Sequence, residues 1–328
     1  MAQLFERSQV GKREDLADLI SVADAKSTPF TSMAPKGKKP GNTLMQWQVD
    51  AYDATSTAGT VDGTDVASYD NASANRAILS NYGQVFRRNL RVSPLSIEIS
   101  NVAGVKDELA HGLAKRLVEI KRDFEATFLS NNTAQLDNGT VPYKTRGLGK
   151  WIVTAANKDA VLPVPDAYCT PSASIETTAT TSNLTDANVQ NVLAGIFGQT
   201  GTIRSYDLFC GSTLKRAFTN LLVNATTVTN NPTAVRTFTE DSADKTFTSV
   251  IDVFQGDFGT VNLHPCNFMP DAKDGYVVPM DMVEIRYGQL PSVKELPDSG
   301  GGPARLIEAF AALVVKNPLA LGKFDLSA

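Results

Sequence analysis

A long run of regularly spaced apolar residues is the feature that most constrains the fold of this 328-residue chain. Between about Asn101 and Ser130 apolar side chains recur every three or four residues, at Val102, Val105, Leu109, Leu113, Leu117, Ile120, Phe124 and Phe128. This spacing places them on one face of an α-helix, which at ~1.5 Å per residue would be ~45 Å long. We predict one long helix that forms the spine of a domain. A coiled coil is the alternative, although the repeat drifts away from a strict heptad.

The segment before this helix, residues 43–92, is a long excursion with few large apolar side chains. Thr43 to Asp50 alternates as a strand does, a polar stretch runs to about Ala74, and Ala77 to Val92 returns with strand-like character. An arm of this composition buries little of itself and needs another surface to rest on. Its charges are segregated. The outgoing half carries Asp50, Asp53, Asp62, Asp65 and Asp70 without a base, and the returning half carries Arg76, Arg87, Arg88 and Arg91 without an acid.

The N-terminal region combines a short helix with an extended arm. Gly11 to Ala25 has Leu16, Leu19, Ile20 and Ala23 at helical spacing. Prolines and glycines exclude regular structure from Ala34 to Asn42. This arm carries three bases, Lys36, Lys38 and Lys39. They are candidates for contact with packaged DNA, and the alternative is a solvated loop.

The second half of the chain predicts an α+β arrangement. Residues 170–183 are small and polar, which favours a loop or a domain crossing. Thr185 then begins a helix with Val189, Val192, Leu193, Ile196 and Phe197 on its apolar face. A second helix is predicted over 212–223, and strands over 206–210, 249–254, 259–263, 275–278, 283–287 and 306–316.

Composition and motifs argue against several classes of function. The net charge of −4 excludes a broad basic surface of the kind that drives non-specific nucleic-acid binding. Three cysteines and two histidines supply no zinc-type spacing, and no phosphate loop, nucleophile elbow or calcium loop occurs. We therefore predict no catalytic, cofactor-binding or metal-binding residues. The N-terminus lacks a signal peptide, and Ala309 to Val315, the longest apolar run, is too short to span a membrane.

Several stretches together resemble tailed-bacteriophage major capsid proteins of the Hong Kong 97-type fold. They are Thr28-Pro29-Phe30, Lys121 to Glu125, Arg146-Gly147-Leu148, Asp257 to Val261 and Glu308 to Gly322. The resemblance spans nearly the whole chain and implies an α+β fold with five parts. These are an N-terminal arm (1–42), an extended E-loop (43–92), a peripheral domain (93–183) around the spine helix, an axial domain (184–267), and returning strands with a C-terminal tail (268–328).

The resemblance also implies function and partners. Such subunits form hexamers and pentamers and then an icosahedral head around double-stranded DNA, bound non-specifically, with no cofactor, no membrane and no enzymatic activity. Assembly would take place in the host cytoplasm, and the protein would reside in the virion. A separate scaffold, a portal and a cement protein are further expected partners. Two alternatives stay open, an encapsulin-like compartment shell and an α+β hydrolase or transferase without recognisable motifs.

The site residues that follow from this interpretation are contacts between subunits. We predict that Asp62, Asp65, Asp70, Arg76, Arg87, Arg88 and Arg91 pair with charges of a neighbouring subunit, and that Lys36, Lys38 and Lys39 form a basic cluster on the inner face. The alternative for the E-loop is that its charges only keep an exposed arm soluble. No lysine lies between Pro40 and Val105, so we expect no lysine–asparagine cross-links of the kind known for the fold's namesake.

Overall fold

The computed structural model describes residues 24, 26–99, 105, 107–224 and 252–326, without the side chains of 222–224. Apart from Asp24, the predicted helix over 11–25 lies outside these residues. The α-helices are α1 (Pro29–Met33), α2 (Pro94–Glu98), α3 (Glu108–Phe128), α4 (Leu148–Trp151), α5 (Asp186–Thr200) and α6 (Ser212–Asn224). The strands are β1 (Leu44–Val49), β2 (Ala77–Tyr82), β3 (Gln84–Arg91), β4 (Ile175–Glu176), β5 (Arg204–Cys210), β6 (Val253–Gly256), β7 (Gly259–Pro265), β8 (Asp274–Val278), β9 (Val283–Leu296), β10 (Ala304–Val315) and β11 (Gly322–Asp325).

The spine helix is α3, and its predicted start at about Asn101 is wrong. Val105 and Asp107 lie outside the helix, and the Asp107 backbone is extended. The Asp107 carboxylate accepts hydrogen bonds from the N–H groups of Leu109 and Ala110, so this residue caps a helix that begins at Glu108. With 21 residues, α3 is ~32 Å long. The apolar residues at 102 and 105 therefore continued the helical spacing without belonging to the helix.

The predicted returning strand over 77–92 is two strands in two different sheets, which corrects the prediction of one strand. β2 pairs antiparallel with β1, whereas β3 pairs antiparallel with β10. The break falls at Gly83, where a Cβ atom would lie 2.1 Å from the ring of Phe310. Only glycine fits this close approach.

The first core lies between α3 and a three-stranded sheet of order β3-β10-β9. Phe86 of β3 packs edge-on against Phe124 of α3, with ring centroids 4.6 Å apart. Phe124 stacks in turn on Phe128, one helical turn later, at 6.0 Å. The apolar face that the sequence predicted is therefore the face that α3 buries.

The second core lies on one side of a six-stranded mixed sheet of order β4-β11-β8-β5-β7-β6. Because successive side chains of a strand point to opposite faces, Tyr206 and Leu208 of β5 face this core while Phe209 faces the first one. Helices α5 and α6 bury their apolar faces in the second core, and α5 begins with a capping box between Thr185 and Asn188. The helices predicted to start near 185 and 212 are confirmed.

The six-stranded sheet combines strands that are far apart in the sequence. β5, β6 and β7 come from the segment 184–267, whereas β4 precedes it and β8 and β11 follow it. β4 also lies inside the polar stretch 170–183 that favoured a domain crossing. The domain bounds given above stay predictions.

Candidate assembly surfaces

The loop between β1 and β2, residues 50–76, is the most exposed part of the described chain. Every residue from 50 to 74 is exposed, including four large apolar side chains. Tyr52 and Tyr69 are 102% and 92% exposed, and Val61 and Val66 are also largely uncovered. An exposed set of this size is unusual for a free monomer and is typical of an interaction surface. We call residues 50–76 the E-loop tip.

The root of this loop is held firmly by two side chains of β1 and β2. The indole N–H of Trp47 donates to the carbonyl oxygen of Val315 at 2.9 Å, and its ring packs against Trp151 with centroids 5.6 Å apart. Asn81 is fully buried. Its Nδ2 donates to the carbonyl of Leu313 at 2.7 Å, and its Oδ1 accepts from the backbone N–H of Arg146 at 2.8 Å. The tip is therefore an uncovered arm on a fixed base.

The predicted acidic residues lie in the E-loop tip, where they are exposed. Within the part of the chain that the structure describes, the side chains of Asp62, Asp65 and Asp70 have no hydrogen-bond or ion-pair partner. Asp50 and Asp53 at the base of the tip do have partners, namely Arg76 at 3.2 Å and the side-chain amide of Asn75 at 2.6 Å. The tip thus presents three carboxylates that its own subunit does not use.

The predicted arginines each form an ion pair inside the same chain. Besides Arg76–Asp50, the pairs are Arg87–Glu308 at 2.9 Å, Arg88–Asp123 at 2.5 Å and Arg91–Asp298 at 3.4 Å. Arg88 thereby ties β3 to α3, and its hydrogen bond to Asp123 raises the pKa of the guanidinium. Sequence alone did not reveal these acids, because they are distant along the chain. A contact of these arginines with a neighbouring subunit stays a prediction.

Glu308 joins three strands by charge. It accepts from Lys294 of β9 at 2.8 Å and from Arg87 of β3 at 2.9 Å, and these two hydrogen bonds lower the pKa of its carboxyl. Exposed pairs of this kind contribute little individually, ~0.2–1 kcal/mol each. Together they fix the positions of neighbouring side chains on the three-stranded sheet.

The three predicted lysines of the arm lie beside β9. The arm joins the edge of that strand, because the N–H of Gly37 donates to the carbonyl of Ile285 and the N–H of Ile285 donates to the carbonyl of Pro35. Lys36, Lys38 and Lys39 are exposed. No ion pair joins them to another described residue. The arm therefore presents a local group of free positive charges.

The groups that could support chemistry are tied up or inert in the described residues. His264 Nε2 lies 2.8 Å from Asp207 Oδ1, and no nucleophile is hydrogen-bonded to this pair. Burial raises the pKa of the Cys210 thiol to about 11 and that of Cys266 to about 12, so both remain unreactive thiols near neutrality. No cluster of three or more potential metal ligands occurs among the described residues. Within the same residues, no helix is long and apolar enough to cross a membrane.

Sequence reasoning missed the residues that anchor these surfaces. Trp47 and Asn81 looked like ordinary strand residues, and the exposed apolar side chains of the tip were seen only as a shortage of core residues. The signal available for Asn81 was a lone asparagine inside a strand-like stretch, where a polar side chain is disfavoured unless it has partners.

The arrangement of these elements recurs in solved capsid structures. The capsid protein of Cyanophage A-1(L) superposes with a TM-score of 0.66 and 12% identity, covering 97% of this chain and 98% of that one. The protein of Mycobacterium phage Bobi gives 0.60 and 14%, covering 98% and 99%. The SrpI encapsulin of Synechococcus elongatus gives 0.53 and 10%, covering 94% and 91%. The fold is therefore that of the Hong Kong 97-type phage capsid proteins, as the sequence predicted.

The family follows from the sequence match. The family described as SU10 major capsid protein matches residues 3–327, and the chain belongs to it. A curated relative, the major capsid protein of Escherichia phage Phieco32, is 35% identical over 127 residues, which is 37% of this chain and about a third, 34%, of that relative. The predicted function as major capsid protein of a tailed phage is confirmed at the level of the family.

Proposed function

We propose that this protein assembles through hexamers and pentamers into an icosahedral head that encloses double-stranded DNA in a phage virion. The observation that supports this most directly is the E-loop tip, which is exposed along its whole length and carries apolar side chains and unpaired carboxylates. A second copy of the chain is the partner that a shell subunit meets at highest concentration. Its role is then structural, without a substrate or a cofactor.

The E-loop tip would act through both kinds of side chain. Tyr52, Val61, Val66 and Tyr69 would lose contact with water against a neighbour, and each Å² of apolar area removed from water contributes ~25 cal/mol. Asp62, Asp65 and Asp70 would fix the orientation by pairing with bases. The exposed lysines at 36, 38 and 39 would contact DNA through its phosphates, a contact without sequence preference that salt weakens. Assembly would take place in the host cytoplasm, with a separate scaffold, portal and cement protein as further partners.

Paired substitutions in the tip test the role of the exposed rings. Tyr52→Ser with Tyr69→Ser should leave the free energy of unfolding of the subunit unchanged within about 0.5 kcal/mol, because neither ring is buried in its own chain. The same variant should form few shells, as measured by the sedimentation of assembled particles. Leu136→Ser, at a half-exposed residue outside the loop, is the matched control and should assemble normally. Normal assembly of the tyrosine variant would refute the role of the tip.

Hydrogen exchange tests the same idea without mutation. Residues 50–76 should exchange rapidly in free subunits and slowly in shells, since their protection would come from a neighbour. Equal protection in both states would contradict the proposal.

An encapsulin-like compartment is the second candidate, because an encapsulin shares the fold over nearly the whole chain. The content of purified particles separates the two. DNA inside nuclease-treated particles supports a phage head, and a protein cargo without DNA supports a compartment.

A further inference from the structure

Glu125 is a fully buried carboxylate between the N-terminal arm and the body of the subunit. It lies on the core-facing side of α3, four residues before Leu129. Its Oε1 accepts a hydrogen bond from the backbone N–H of Phe30 at 2.8 Å, and its Oε2 accepts from the N–H of Thr31 at 2.8 Å. One carboxylate therefore holds two consecutive amides of α1.

The arm depends on this carboxylate because α1 has no cap of its own. Thr28 occupies the N-cap position of α1, but its side chain makes no capping hydrogen bond. Orphan N–H groups at a helix start require an acceptor when they are buried. Glu125, 95 residues away in sequence from Phe30, supplies it. The Phe30 ring is buried just beyond, edge-on to Phe209 at 5.2 Å.

Glu125 has no positive partner within the described residues. Arg122, one turn earlier on α3, pairs with Asp24 at 3.3 Å and lies over the ring of Phe268. From the loop after β7, the titratable side chain facing Glu125 is Cys266, whose Sγ lies 3.6 Å from Oε1. Burial keeps the pKa of this thiol at about 12, so it stays neutral. The arm itself presents only backbone amides and the Thr31 hydroxyl.

A buried carboxylate without a counter-charge is an uneconomical way to fix an arm permanently. Its ionised form loses hydration that two N–H groups replace only in part, whereas an apolar side chain would carry no such penalty. If the arm lifts, the carboxylate regains water. The arrangement therefore suits an attachment that opens.

We propose that Glu125 is a proton-sensitive latch that holds the N-terminal arm on its own subunit and weakens as it ionises. Burial raises the pKa of Glu125 above its ordinary value, although the N–H groups of Thr31 and Phe30 oppose this. In the open state the carboxyl is hydrated and has its ordinary pKa. The closed state therefore binds the proton more tightly. Closure is strongest below the ordinary pKa and weakens as the pH rises through the raised one.

Hydrogen exchange at the two latched amides measures this opening in the full-length protein. Exchange of Phe30 and Thr31 is followed from about pH 4 to about pH 8, a range that covers the ionisation of a glutamate with a raised pKa. Each rate is divided by the intrinsic chemical rate at the same pH. The amide of Val277, in the middle of the six-stranded sheet, is the internal reference for global unfolding.

The wild type should lose protection at Phe30 and Thr31 as the pH rises, while Val277 stays protected. Glu125→Gln should abolish this pH dependence, because the amide does not titrate. Glu119→Gln, which removes a carboxylate on the same helix that pairs with Arg116, should keep the wild-type profile. Protection that is constant or rises with pH in the wild type overturns the latch. A wild-type profile in Glu125→Gln overturns it as well, and the wild-type series decides even if that variant fails to fold.

Discussion

Replacement of Asn81 by leucine should be strongly destabilising although the two side chains are similar in size. Asn81 makes hydrogen bonds in four directions: to the Leu313 carbonyl at 2.7 Å and the Thr145 hydroxyl at 3.0 Å, and from the N–H groups of Arg146 at 2.8 Å and Tyr82 at 2.9 Å. Leucine would leave these buried groups without their partner. Each buried group that loses its partner costs ~1–3 kcal/mol, so we expect a loss of about 3–5 kcal/mol after partial relaxation.

Urea denaturation of soluble subunits measures this loss. The expected loss is a large share of the ~5–15 kcal/mol by which folded domains exceed their unfolded chains. Asn89→Leu is the matched control, because Asn89 is exposed on β3 and the same change there should shift stability by no more than about 0.5 kcal/mol. A difference of less than about 1 kcal/mol between the two variants would refute the reasoning that Asn81 fixes the root of the E-loop.

Three further predictions address pH, ion pairs and covalent bonds. Burial raises the pKa of Asp274 to about 6, so its contribution to stability is present below its ordinary pKa and lost as the pH rises through about 6; Asp274→Asn should unfold at higher urea than the wild type at about pH 8, and no difference there would contradict this. Arg88→Asp should lower stability and hinder assembly, and the added change Asp123→Arg should restore both if the pair within the subunit is what matters; restored stability without restored assembly would indicate a partner in a neighbour. Mature particles boiled in detergent should give a single band near 35.2 kDa, because the stretch from 40 to 105 has no lysine, and a ladder of multimers would disprove this.

The sequence was sufficient for features that depend on local spacing. The apolar face of α3 and the capping signal at Thr185 can be read from a few neighbouring residues. The resemblance then supplied the fold as a whole, since no local pattern defines the order of strands in a sheet.

Features that depend on distant residues could not be predicted in the same way. The start of α3 is set by the competition of the Asp107 side chain with the backbone, which the spacing of apolar residues does not register. The break at Gly83 depends on the ring of Phe310, which lies on another strand. The charge segregation of the excursion suggested unpaired arginines, but Glu308 and Asp298 reach them only after β9 and β10 have folded back. Glu125 escaped notice because a glutamate on a helix is usually a solvated residue.

The exposed E-loop tip separates two properties that most proteins couple. A substitution in a buried segment changes folding and association together, because the same side chains serve both. From residue 50 to 74 no side chain is buried in its own subunit, so changes there leave the folded subunit almost untouched and act on adhesion between copies. Sequence drift in this stretch can therefore tune how tightly a container holds without endangering the supply of folded building blocks.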